Sequence, residues 1–294
     1  MNLCFIVNPI AGKGKNPAIN AIPVIEKYCR DRGINFKIKK TSYKGHAIVL
    51  AQEASSLKSK YDAIISVGGD GTFLEIVNGL QNTEIPLGII PSGSGNDFVR
   101  SIGVPRDIEA ALDIIVEKKT RIVDIGHFNN IFFANVASVG FDAEIARDVG
   151  KFRKLFPGGA AYYVAALTKF FTYKFKSTTL TIDGEKHQFR ILLAAIANGN
   201  YYGGGMKVNP QGDLNDGYLD IIVITAIPRY KVPLIMTQFV KGTYQKLPFV
   251  KTFRCKEISI ESPDELIINA DGEVFSDVPL AFNVEASALN VICG

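Results

Sequence analysis

The sequence predicts a two-domain protein, an N-terminal α/β domain over residues 1–125 and a C-terminal β-rich sandwich domain over residues 126–294. Three observations predict it. A chain of 294 residues is long enough for two hydrophobic cores. Up to residue 125, β-branched apolar runs alternate with segments of helical spacing, the pattern of an open α/β sheet. Beyond it, residues 178–197, 217–225 and 249–293 are short β-branched runs broken by Asp-Gly, Asn-Gly and Pro, which reads as antiparallel sheet beside one helix pair.

The run from Leu3 to Val7 predicts a first strand. It leads into Asn8-Pro9-Ile10-Ala11-Gly12-Lys13-Gly14-Lys15, and then Ala18, Ala21, Ile22, Ile25 and Cys29 stand at helical spacing. This glycine-rich turn lacks the Walker spacing and does not support a P-loop NTPase, and its lysines read equally as phosphate ligands or as a solvated loop. A strand over Phe36–Lys40 and a helix over Ala47–Leu57 follow.

The organising stretch is Val67-Gly68-Gly69-Asp70-Gly71-Thr72, between the strand Ala63–Ile65 and the helix Phe73–Leu80. Three glycines let backbone approach a ligand closely, and the unpaired N–H groups at a helix start attract an anion. An ordinary strand-to-helix turn needs one or two glycines. A carboxylate such as Asp70 belongs beside a phosphate only if it fixes the loop or reaches a neutralising metal. Pro86–Ile90 predicts another strand, ending in Pro91-Ser92-Gly93-Ser94-Gly95-Asn96-Asp97-Phe98. Turns at the carboxyl ends of parallel strands can converge on one crevice. A helix over Pro105–Lys118 and a strand over Thr120–Gly126 close the first domain.

Residues 151–176 carry six Lys or Arg, eight aromatics and no acid, which fits a lipid-facing helix or a helix packing its rings inward. Asn209–Tyr218 predicts a tight turn in which Asp216 and backbone carbonyls could hold a cation. Leu266–Val274 predicts a hairpin turning at Asp271-Gly272. The charge balance of 33 basic against 29 acidic residues fits an anionic ligand or membrane surface and does not demand nucleic acid. Cys4, Cys29, Cys255 and Cys293 lack metal-ligand spacing and read as reduced thiols. No apolar run reaches the roughly 18 residues of a membrane span, and the N-terminus lacks a basic leader. The expectation is a cytoplasmic protein with peripheral membrane contact.

Taken together, GGDGTFLE at 68–75, PSGSGNDF at 91–98 and NADGE at 269–273 resemble the diacylglycerol kinase catalytic-domain family, in its soluble bacterial lipid kinase branch, which is related to sphingosine and ceramide kinases. NPIAGKG at 8–14 and Thr41 with Gly45-His46-Ala47 fit the family's opening segment. The resemblance implies an N-terminal domain similar to NAD kinase and phosphofructokinase, with ATP in the cleft between the domains. It implies that Asn8, Pro9, Ile10, Ala11, Gly12, Thr41, Gly68, Gly69, Asp70, Gly71, Thr72, Glu75 and Ser94 contact ATP. Asp70, Asp97 and Asp124 would organise a catalytic Mg²⁺, and Glu273, on the hairpin with Asp271, would be the general base. A structural Mg²⁺ would sit at Asp213, Asp216 and Tyr218.

The implied reaction is phosphorylation of a membrane lipid hydroxyl, diacylglycerol first, with a prenol, phosphatidylglycerol or a sphingoid base as other acceptors. NAD kinase shares the GGDG loop but not an Asp-Gly-Glu hairpin near the C-terminus. An idle lipid- or nucleotide-binding regulator is disfavoured by the intact Asp70, Asp97, Asp124 and Glu273. A homodimer is a further expectation. The sequence departs from the usual bacterial pattern at Leu74, Ser92, Ser94 and Gly95, and Leu74 removes a polar group beside the phosphate loop. The short segment after the last strand leaves no helix to return to the first domain.

Overall fold

The computed structural model describes residues 1–12, 17–56, 60–80, 83–152 and 160–294, with side chains at 150 and 160–163 outside the description. Lys13, Gly14, Lys15, Arg153 and Lys154 therefore lie outside the described residues. The chain falls into two compact units, Met1–Ile125 with Gly203–Gly205 and Glu285–Gly294, and Gly126–Tyr202 with Met206–Val284.

Unit 1 runs β1 (Asn2–Val7), α1 (Pro17–Asp31), β2 (Asn35–Lys40), α2 (His46–Ser56), β3 (Ala63–Gly68), α3 (Asp70–Gly79), β4 (Leu87–Pro91), α4 (Asp97–Ser101), α5 (Ile108–Glu117) and into β5 (Thr120–Phe128). The sheet order is β2-β1-β3-β4, all parallel. Every residue of β3 and β4 is buried, as expected of strands covered by helices on both faces, while the edge strand β2 alternates exposed and half-buried positions. Asp107 caps α5 by accepting from Ala110 N at 3.0 Å.

Unit 2 contains β6 (Ile131–Phe133), β7 (Val136–Gly140), α6 (Phe141–Phe152), α7 (Ala160–Thr172), β8 (Lys176–Ile182), β9 (Glu185–Ala197), β10 (Leu219–Thr225), a 3-10 turn (Arg229–Lys231), α8 (Val232–Lys241), β11 (Val250–Cys255), β12 (Glu257–Glu261), β13 (Ile268–Ala270), β14 (Glu273–Phe275) and the start of β15 (Ala281–Ile292). Its pairings are antiparallel. The 13-residue β9 organises it, pairing with β7, β8 and β10. Period-two alternation sends Leu193, Ala195 and Ala197 to a core covered by Phe141 and Ile145 of α6 and Phe239 of α8, and Ala194 and Ile196 to a second core with Phe128, Phe133 and Phe282. Helix α8 adds to the helix pair expected from sequence.

The chain does return to unit 1, by a strand instead of a helix. Residues from Glu285 belong to unit 1, Val291 pairs in parallel with Leu87 of β4, and Gly294 N donates to Ile102 O at 3.2 Å.

Candidate active site

In unit 1 the three glycine-rich turns meet at the carboxyl ends of β1, β3 and β4. Asn8 leaves β1 donating its backbone N–H to Val67 O at 3.0 Å, and its side-chain amide donates to Thr72 Oγ1 at 2.9 Å. Ser92 N donates to Gly68 O at 2.7 Å. Gly69 and Gly93 pack backbone to backbone, and a Cβ on Gly93 would stand 2.3 Å from Gly69 Cα. Gly12 adopts φ +89° with room for no side chain, since a Cβ would meet the Pro17 ring at 2.2 Å. Helix α3 starts after Gly69 without a side-chain cap, so its first N–H groups are available to an anion.

Asp70 fixes a loop. Its two carboxylate oxygens accept from Asn96 N and Asp97 N, both at 2.7 Å. Asn96 sits at left-handed φ 54°, and its side chain closes the turn by accepting from Gly93 N and donating to Gly93 O. Asp97 is buried, its Oδ2 accepts from Gly204 N at 2.8 Å, and its Oδ1 has no hydrogen-bond partner, with Arg100 Nε 3.9 Å away. Burial, with the nearby Asp70 charge adding to it, raises the Asp97 carboxyl above the usual carboxylate range. Asp124, 1% exposed, accepts from Ser287 N at 2.8 Å.

Glu75, expected at the nucleotide, and Leu74, expected near the phosphate loop, are both engaged elsewhere. Glu75 accepts from Gly45 N at 2.9 Å and Ala47 N at 3.1 Å, so it holds the start of α2 and the loop after Thr41. Leu74 is buried, turned by α3 into the core where Phe73 also stacks on Phe98 at 4.5 Å. Ser94 and Gly71 are exposed.

In unit 2 the Asp271-Gly272 turn has φ 46° and 88°, the all-positive geometry of a two-residue hairpin. Glu273 opens β14, half-buried and paired with Ala270. Asp271 is better described as a positioning residue than a catalytic one. Its carboxylate accepts from Ala134 N at 2.7 Å, Val136 N at 3.0 Å and Asn135 N at 3.2 Å, anchoring the hairpin to the start of β7. Asn198 grips the same segment from its carbonyl side, donating to Ala134 O at 2.8 Å.

Sequence reasoning missed a buried polar cluster behind this hairpin. Asp142, at the start of α6, accepts from Ser138 Oγ at 2.5 Å and from the Tyr202 hydroxyl at 3.0 Å. Complete burial pushes its carboxyl upward. Ser138 also reaches Asn269 O at 3.3 Å, two residues before Asp271. The signal was an acid inside Val-Gly-Phe-Asp-Ala, where an unpaired charge has no place.

The metal expectations divide. The buried Asp97 Oδ1 beside Asp70, which accepts no hydrogen bond and has Arg100 Nε 3.9 Å away, is a hard oxygen donor of the kind Mg²⁺ takes, and it fits. The 213–218 turn does not fit as it stands. Of the expected ligands, which are the Asp216 carboxylate and the backbone oxygens of Asp213 and Tyr218, the carboxylate accepts from Tyr218 N at 3.0 Å and pairs with the Arg254 guanidinium, which a cation would have to displace. Among the described residues no three His, Cys, Asp or Glu side chains form a metal-binding group.

Loops of this kind above a parallel sheet, joined in one chain to a β unit with an acidic hairpin, define a phosphotransferase of the lipid kinase class. The diacylglycerol kinase catalytic domain family model matches residues 2–128, and the YegS C-terminal NAD kinase beta sandwich-like domain matches 135–293. The chain is 33% identical over 282 residues to proteins named diacylglycerol kinase from Staphylococcus aureus strains bovine RF122 / ET3-1 and Newman, covering 95% of this chain and 88% of theirs. It is similar to the crystal structure of a diacylglycerol kinase from Bacillus anthracis strain Sterne, with TM-score 0.76, 25% identity, and coverage of 100% of this chain and 97% of that one. Another Bacillus anthracis Sterne chain matches with TM-score 0.80 at 29% identity, covering 100% of this chain and 95% of that one. The chain belongs to the diacylglycerol kinase family and is a lipid kinase.

Proposed function

We propose that this lipid kinase transfers the γ-phosphate of ATP to the free hydroxyl of diacylglycerol, giving phosphatidate and ADP. The observation that carries the nucleotide half is the uncapped start of α3 among three converged glycine turns, with the lone Asp97 oxygen beside it. The relatives' name supports the acceptor.

In this reading the backbone amides after Gly69 hold phosphate oxygens, and Asp70 keeps the 93–97 turn in place against them. Mg²⁺, held at Asp97 with Asp70 and Asp124 organising its surroundings, would neutralise charge on the transferring phosphoryl group. Glu273 accepts the proton of the lipid hydroxyl as its oxygen bonds to the γ-phosphorus and the bond to the β-phosphate oxygen breaks. Asp271 and Asn198 hold the segment against which that hairpin is built.

The test is transfer of radiolabelled γ-phosphate from Mg²⁺-ATP to diacylglycerol in mixed micelles, to NAD and to a crude membrane-lipid extract, side by side. Label in phosphatidate is expected. Label only in the extract moves the acceptor to another lipid alcohol, and label in NADP or in nothing overturns the reading.

A further inference from the structure

We propose that the corner of unit 2 where α7 ends and α8 begins docks this kinase on an anionic bilayer, a basic pocket beside it taking a lipid phosphate. The proposal rests on the acceptor being a bilayer lipid. Six described large apolar side chains are at least 60% exposed: Ile10, Tyr43, Leu167, Phe171, Tyr230 and Leu234. Four of the six lie on α7 or on the segment that runs from the 3-10 turn into α8. Leu167 and Phe171 share a face of α7 at i, i+4, and Tyr230 and Leu234 have the same spacing across the 3-10 turn and α8.

Arg229 binds the two segments together. Its guanidinium donates to the carbonyls of Phe170 at 3.2 Å, Phe171 and Tyr173 at 2.9 Å, satisfying the orphan carbonyls at the end of α7. The next residue, Tyr230, follows directly on this anchor and is exposed. Large apolar side chains held in water on a braced frame mark an interaction surface.

Charge complementarity chooses the occupant. A pocket of about 600 Å³ opens beside the corner, lined by Lys174, Phe175, Ser177, Arg190, Arg229 and Asp264. Three cations face one acid, and Asp264 already accepts from Ser177 N at 3.1 Å. Exposed Lys231 lies over the Tyr230 ring at 5.9 Å, adding a fourth cation. Rings and aliphatic groups flanked by Lys and Arg suit a bilayer interface carrying anionic headgroups. A twofold contact with a second copy would set these cations against their own mates, which disfavours it.

The basic, aromatic stretch 151–176 thus divides. Lys151, Lys169 and Lys176 pair with Asp148 and Glu144 of α6, at 2.8 to 3.2 Å, and Tyr173 is buried. Lys169, Lys176 and Tyr173 are packed inward, whereas Lys151 pairs at the surface. Leu167, Phe171 and Lys174 face outward.

The experiment is vesicle flotation with the full chain on phosphatidylglycerol, on phosphatidylcholine, and on phosphatidylglycerol with excess inorganic phosphate at matched ionic strength. The wild type is expected to float with phosphatidylglycerol alone or with added phosphate, and not with phosphatidylcholine. Lys174→Gln with Arg190→Gln should lower partitioning about 25-fold, about fivefold per cation. Phe171→Ser with Leu234→Ser should lower it about tenfold or more. Both variants should phosphorylate a short-chain, water-soluble diacylglycerol at the wild-type rate, a readout that separates failure of docking from failure of the kinase reading. Equal binding to both vesicles, or variants that float like the wild type, would overturn the proposal. Competition by inorganic phosphate would make this a free-anion site, and a dimer dissolved by Phe171→Ser with Leu234→Ser would make it a self-contact; either result overturns it as well.

Discussion

Replacing Asp271 by Asn separates a structural carboxylate from a chemical one. The wild-type side chain accepts from three backbone amides of 134–136 at 2.7 to 3.2 Å, with both oxygens engaged. Asn keeps one oxygen and turns an NH₂ group toward N–H donors, so at least one buried amide loses its acceptor and the rest lose the ionic contribution. Hydrogen bonds to charged groups contribute about 1.5 to 3 kcal/mol, and an unsatisfied buried donor costs about 1 to 3 kcal/mol. The loss expected for Asp271→Asn is therefore about 2 to 4 kcal/mol. For a unit of this size that lowers Tm by roughly 5 to 15 °C, measurable by calorimetry or urea titration. Residual turnover of the folded variant at low temperature should exceed that of a general-base knockout. An unchanged Tm with turnover abolished would refute the positioning role.

Three further outcomes follow from the same geometry. Gly93→Ala puts a methyl 2.3 Å from Gly69 Cα, so the two turns must separate; a stability loss of about 1 to 3 kcal/mol and weaker ATP binding by calorimetry are expected. Asp142 holds its proton more tightly folded than unfolded, so its contribution to stability is full below the unfolded carboxyl range and is lost as pH rises through that range and the raised folded value. Asp142→Asn removes this dependence, and its urea midpoint should fall less than that of the wild type between pH 4 and pH 7. Arg254→Gln frees the Asp216 carboxylate of its cation, and added Mg²⁺ should then raise Tm more than in the wild type.

The order of elements in unit 1 was legible because its strands are β-branched runs and its turns carry glycines at positions that only glycine fills, as Gly12 and Gly93 illustrate. Convergence of the turns followed from parallel topology alone. What the carboxylates do there was not legible. Asp70, Glu75 and Asp271 each hold backbone amides far away in sequence, 26 to 27, 28 to 30 and 135 to 137 residues off, and no local pattern encodes such partners. Helix α8 had a signal, Val232, Ile235 and Phe239 at helical spacing with Pro233 in the first turn, but the run is short and follows Pro228. The Arg254 to Asp216 pair joins β11 to the turn that precedes β10, which only the β10 to β11 register reveals.

The central claim is that ATP binding belongs to the turns of unit 1 and proton removal to Glu273 of unit 2. Its most direct test is Glu273→Gln, with ATP affinity by calorimetry and single-turnover transfer to diacylglycerol measured on the same preparation. The account predicts an unchanged Tm, ATP affinity within about twofold of wild type, and transfer slowed about 10² to 10⁴-fold, the usual contribution of a general base. Transfer at the wild-type rate, or affinity and rate falling together, would contradict it.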